Sequence, residues 1–246
     1  MSKKVSTKFS PISHGFNFAN YFKFELPDIK LPASIKLPKV DAVYGLCGGM
    51  SAVACDYFLA GRSAPDVKER PAPDSDLYKY IFKRQMQSYG TKGFIVLKLI
   101  EWMARPTNSG TIGGFDIAQI DSTRELTLKS FDKDVKPELD EGKPIPLGIV
   151  YVSAVDTFQV WQNHQVLAYG YSEVSDDEFH ISIYDPNFPN KDDVIIKAKK
   201  ISVGKTLMRN TIWGLECTRK GGGQKDKPIR GFFTIPYEPM TPPEDV

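Results

Sequence analysis

Three side chains along this chain have the types that thiol chemistry requires. Cys47 sits in YGLCGGMSAVACDYF, His164 stands ahead of QVLAYGY, and Asp185 lies in IYDPN. A free thiol is mostly protonated at neutral pH, an imidazole can take that proton, and a third polar group must hold the ring's tautomer. The set therefore describes acyl transfer through a cysteine nucleophile, with His164 as general base and Asp185 as orienter. Asn187, in the same DPN element, is a rival for the third position on the same logic.

A helix has to position Cys47. Met50, Val53, Ala54, Tyr57 and Phe58 recur at the three-and-four spacing of a half-buried helix that ends near Gly61. Cys47 then precedes the first turn, where unsatisfied N–H groups and partial positive charge favour a thiolate. Gly48 and Gly49 carry no side chains, which leaves a substrate carbonyl room to approach the sulfur and the backbone amides. Cys55, on the same helix, and Cys217, in WGLECT, are assigned to packing, because free cysteine is among the most buried residue types. Three cysteines at scattered spacings form neither a disulfide framework nor a CxxC metal pattern.

Elimination selects the histidine. His14 lies in SPISHGFNF with nothing nearby to orient it, and His180 alternates with Phe179 and Ile181 on a strand. His164 instead begins a β-branched and aromatic run, Gln165 to Tyr171, and points with Val166 and Ala168 towards one face. The turn-like SEVSDDE joins that run to EFHISIYDPN, so a hairpin brings His164 near Asp185. Asp-Pro-Asn is also a good turn sequence in any protein.

A cysteine before Gly-Gly at a helix start, a histidine opening a strand, and an Asp-Pro element after it resemble the papain-like cysteine peptidase superfamily. Within it, the bacteriocin-processing, double-glycine-leader branch is the most similar. The match covers three short segments. It implies a nucleophilic Cys47, a general base His164 and an orienting Asp185 cycling through a thioester, with a peptide or protein as substrate. The superfamily usually carries a glutamine shortly before the cysteine as oxyanion-hole donor. KVDAVYGLC has none, and the anionic Asp41 stands there instead. A substitute is an amide from HGFNFANYF, Asn20 or Asn17, acting beside the Cys47 backbone N–H.

The elements around these residues change period midway. Pro27, Pro32 and Pro38 punctuate an extended arm. Helices are expected from Cys47, over Leu77 to Ser88, over Phe94 to Ala104, around Thr123 to Phe131, and near Pro137 to Asp140. From Ile145 the chain reads as six strands: PLGIVYVSA, QVLAYGY, FHISIYD, DVIIKA, TIWGLEC and IRGFFTIP. The class is α+β: one domain over 1–246, a mainly helical lobe over about 1–142 packed against an antiparallel sheet or partial barrel over about 143–240. The cleft falls between helix and sheet.

Composition excludes several function classes. A formal charge of +2 with scattered basic residues gives no footprint for nucleic acid. No apolar run approaches a membrane span, and MSKKVSTKFSP lacks the core of a secretory signal, so the cytoplasm is the default location and leaderless export the alternative. Three histidines without helical pairing make a poor metal set, and no cofactor is expected. GTIGGF reads as a mobile loop beside the cleft, TRKGGGQKDK as a solvated hairpin loop, Trp161 as core packing, and Arg84 and Gln85 as an exposed helix face. The same nucleophile also serves an amidase or an acyl transferase, and the missing glutamine admits an inactive binding module on the same fold.

Overall fold

The computed structural model describes residues 3–22, 45–109, 121–153, 157–205 and 210–244. The proline-punctuated arm, Asp41 and the whole of GTIGGF lie outside them. Helix α1 (Pro11–His14) is a single turn, and α2 (Cys47–Leu59) follows. Helices α3 (Asp76–Ser88) and α4 (Phe94–Ala104) are separated at Gly90 and Gly93, both with the positive φ that glycine adopts without strain. Ser75 caps α3 by accepting from the Tyr78 N–H, and Ser122 caps α5 (Thr123–Ser130) by accepting from Glu125 N–H. The two helices expected between Thr123 and Asp140 form one run instead. A π-helical turn, Phe131–Val135, carries α5 directly into α6 (Lys136–Asp140), so Phe131, Val135 and Leu139 face the same core.

The strands are β1 (Lys4–Ser6), β2 (Ile145–Val150), β3 (His164–Glu173), β4 (Glu178–Tyr184), β5 (Ile195–Lys205), β6 (Thr211–Lys220), β7 (Lys227–Ile229) and β8 (Gly231–Thr234). Among the described residues they form one antiparallel sheet in the order β7-β6-β5-β4-β3-β2-β8, curled into a half-barrel. Two strands exceed the six expected: β7, after the glycine turn of TRKGGGQKDK, and β1, which pairs with the far half of β3 where β2 has ended. The hairpin expected between His164 and Asp185 is β3–β4, in register at Leu167 opposite Tyr184.

Alternation along β3 sends side chains to two cores. Val166 and Ala168 join Leu147, Ile149, Ile181 and Ile183 beneath the α5–α6 run, while Leu167 and Tyr169 pack with Ala54, Cys55 and Phe9 on the side of α2. The sheet is thus clad on both faces, and α2 lies against its centre.

Glycine sets how close α2 comes. A Cβ on Gly48 would stand 2.0 Å from the Gln165 Oε1 and 2.5 Å from the Ser88 Oγ, and one on Gly49 would stand 2.1 Å from the Ile81 carbonyl oxygen. Both directions are filled by protein, so the two glycines serve packing against β3 and α3 and leave no room there for a substrate, contrary to the expectation from sequence.

Arg84 and Gln85 are buried rather than on an exposed helix face. Arg84 Nε lies 2.8 Å from Asp56 Oδ2, and Asp56 also accepts from Tyr80 and Tyr237 hydroxyls and the Met240 N–H. Arg84 donates in addition to the Glu238 carbonyl. This closed charge pair ties the carboxyl-terminal segment across α2 and α3; breaking such a pair on one side costs about 3–5 kcal/mol.

Gly49→Ala should lower unfolding stability by roughly 3 kcal/mol, because its methyl meets backbone, whereas Gly48→Ala should cost about 1 kcal/mol, because it meets side-chain ends that can turn away. Equal losses in denaturant unfolding would reject this account of the contact.

Candidate active site

Cys47 occupies the first position of α2 with its side chain partly exposed. His164 is the first residue of β3 and is 9% exposed, and Asp185 follows β4 at 2%. Their neighbours fix their approach: Gly48, next to Cys47, touches Gln165, next to His164. His164 and Cys47 line the same cavity, and the sulfur is near enough for its charge to act on the ring. The ring's Nε2 lies 2.7 Å from Asp185 Oδ1, which leaves Nδ1 as the ring nitrogen for the sulfur.

The Asp-Pro-Asn element is at once a turn and an orienter. The Phe188 N–H donates to the Asp185 carbonyl at 2.9 Å and the Asn187 N–H to Asp185 Oδ1 at 3.0 Å, so the turn's own hydrogen bonds aim the carboxylate at the ring. Asn187 does not replace Asp185. Its side-chain Nδ2 stands 3.3 Å from the same ring nitrogen, outside the shorter Asp185 contact.

Burial alone would strip the proton from His164. The Asp185 carboxylate and the Cys47 sulfur outweigh it and hold the ring at about 10, well above its ordinary 6.5. An imidazolium is therefore the resting form at neutral pH, paired with the Asp185 carboxylate. Burial pushes both the Cys55 and the Cys217 thiol up to about 12, in keeping with a packing role. His14, expected to lack a partner, accepts the Ser10 N–H through Nδ1 at 2.9 Å and packs on Phe9 and Phe58. His180 lies 3.3 Å from Glu178 on the sheet.

Of the two asparagines considered for an oxyanion, the structure brings only Asn20 to the site. Its backbone N–H donates to Pro186 carbonyl and its Nδ2 to Asn187 Oδ1 at 3.3 Å, while its amide packs where a Gly45 Cβ would otherwise sit. The NH2 group keeps a second hydrogen beside the start of α2. Asn17 instead donates to Asp66 on the surface.

These residues open on a cavity of about 370 Å³ between α2, α3 and the sheet. Sequence reasoning set aside Gln85 and Trp161, which line it, and had no signal for Tyr151, Arg219 or Lys227, which also do. Gln85 is committed to scaffolding: its Oε1 accepts from the Gly49 N–H at 2.9 Å and its Nε2 donates to Ser88. Among the described residues no group of three or more His, Cys, Asp or Glu could hold a metal ion, and no helix is long and apolar enough to cross a membrane.

No protein-family model, curated protein or solved structure matches this chain. What the site can do therefore follows from its own chemistry: a sulfur at a helix start, a protonated ring on the same cavity wall, a carboxylate fixing that ring, and amide donors alongside.

In the folded protein iodoacetamide should modify Cys47 and spare Cys55 and Cys217, and His164→Ala should slow the reaction at least about tenfold; comparable modification of Cys55 would remove the case for a selectively reactive Cys47. The charge on His164 has a stability consequence with a definite sign. Its folded value lies above the ordinary 6.5, so its contribution is complete below that pH and is lost as pH climbs through about 10. The stability gap between wild type and Asp185→Asn should accordingly shrink between about pH 6 and about pH 10. A gap that widens over this range would contradict it.

Proposed function

We propose that the protein is a papain-like cysteine peptidase that hydrolyses a peptide or protein amide through Cys47, His164 and Asp185. One observation carries this reading: Cys47, His164 and Asp185 line one solvent-connected cavity, with His164 Nε2 2.7 Å from Asp185 Oδ1 and the Cys47 sulfur near enough for its charge to act on the ring. In the reaction, the Cys47 sulfur attacks the carbonyl carbon of the scissile amide. The oxygen becomes an anion held by the Cys47 backbone N–H and by Asn20 Nδ2. His164 passes its Nδ1 proton to the leaving nitrogen, the C–N bond breaks, and a thioester remains. Water then gives a proton to the neutral ring and its hydroxyl to the acyl carbon, and the thiolate departs as the pair re-forms.

The family resemblance in sequence supports the same roles, and Asn20 supplies the donor that the missing upstream glutamine would otherwise provide. Asp185, accepting from Asn187 N–H as well as from the ring, stabilises the imidazolium without taking its proton.

Peptide-library digestion with product mass analysis tests the reading. Cleavage should vanish in Cys47→Ala, and Asn20→Ala should reduce turnover roughly a hundredfold with a smaller effect on KM. Above about pH 10 the rate should fall, because His164 then lacks the proton that the leaving nitrogen needs. Products joined to an added amine rather than to water would move the assignment to acyl transfer, and no product with any peptide would end it.

A further inference from the structure

One wall of the cavity holds two cations that the proposed reaction does not use. Arg219, near the end of β6, is buried, and Lys227, the first residue of β7, stands at the rim. The glycine turn between these strands is what brings them together, in register opposite one another. Arg219 is held rigidly: its guanidinium donates to the Gly221 and Lys225 carbonyls and lies over the Phe188 ring at 4.8 Å. Lys227 Nζ sits 3.7 Å from the centre of the Tyr151 ring.

Tyr151 links this wall to the reacting groups. It lines the same cavity as Arg219, Cys47 and Asp185, close enough for their charges to act on its hydroxyl. The cations are thus neighbours of the nucleophile.

Neither cation has a carboxylate of its own among the described residues. Asp226, beside Lys227 in the chain, and Asp185, on the same cavity, are committed elsewhere: Asp226 to Lys220 at 2.8 Å and Asp185 to His164 at 2.7 Å. Burial and the Arg219 charge push the Lys227 ammonium below its ordinary value, and the pull of Asp185 does not offset them. Two like charges side by side in a partly desolvated wall are unfavourable unless an anion visits. A planar, pre-positioned guanidinium next to a mobile ammonium suits a carboxylate.

We propose that this wall is a substrate subsite: Arg219 and Lys227 receive a carboxylate that the peptide carries close to its scissile amide. The inference rests on the peptidase reading and names its substrate class. The carboxylate belongs either to an Asp or Glu side chain or to the peptide's own carboxyl terminus, and both would be drawn in by the same charges.

The two claims can be separated with small alkylating probes on the full chain. Iodoacetate carries the carboxylate and iodoacetamide does not, so the ratio of their rates at Cys47 reports the wall's charge. Lys227→Glu should lower that ratio roughly tenfold, and added salt should lower it in the wild type. Lys143→Glu, on a remote exposed turn, should leave it unchanged. Modification by both reagents with the same ratio in wild type and Lys227→Glu would overturn the subsite while leaving the nucleophile standing. Modification by neither would refute both. In the cleavage arm, peptides with Glu near the cut should be favoured over their Gln counterparts about tenfold, and Lys227→Glu should cancel the preference. A preference that follows amidation of the carboxyl terminus instead assigns the terminal carboxylate, and indifference to both charges rejects the proposal.

Discussion

The approach of α2 to β3 depends on hydrogen atoms standing where side chains would otherwise be. Gly48 admits Gln165 and Ser88 into the space beside the first turn, and Gly49 admits the Ile81 carbonyl of α3. Interiors are packed densely enough that one methyl at either position must displace something. Because Gly48 follows Cys47 and Gln165 follows His164, the contact that closes the helix onto the sheet also brings the sulfur to the ring. Gln85 reinforces it from α3 by accepting the Gly49 N–H, one of the donors that a helix start leaves unpaired.

Charge is organised around that contact at two depths. Below it, Asp56 and Arg84 neutralise each other with tyrosine hydroxyls and the carboxyl-terminal segment closing their remaining valences, so the pair is structural and silent. At the surface of the cavity the balance is left incomplete. His164 keeps its proton because Asp185 and Cys47 together outweigh burial, and Arg219 and Lys227 stand nearby without acids of their own among the described residues. A core that satisfies its charges beside a cavity wall that does not is the pattern expected where a ligand completes the set.

Much of this was legible residue by residue. Apolar spacing after Cys47, serine caps at Ser75 and Ser122, and alternation through Val166 and Ala168 are local signals, and the helices and the β3–β4 hairpin follow them. Asp185 was legible for the same reason: a turn sequence uses its own carboxylate, so the DPN element announces where that group points. Asn187, chemically similar, could be ranked behind it only once both distances to the ring were known.

The sequence by itself determined the element types, the mixed helix and sheet class, and the hairpin that brings His164 to Asp185, because propensity, periodicity and turn chemistry act over a few neighbouring residues. Only the tertiary structure decided that Asn20 rather than Asn17 reaches the site, that Gly48 and Gly49 serve packing, that Arg84 and Gln85 are buried, and that Arg219 and Lys227 face the cavity. Each of those outcomes depends on a partner from a distant segment. What a side chain touches across the fold is set by how helices and strands dock, and no local pattern carries that information.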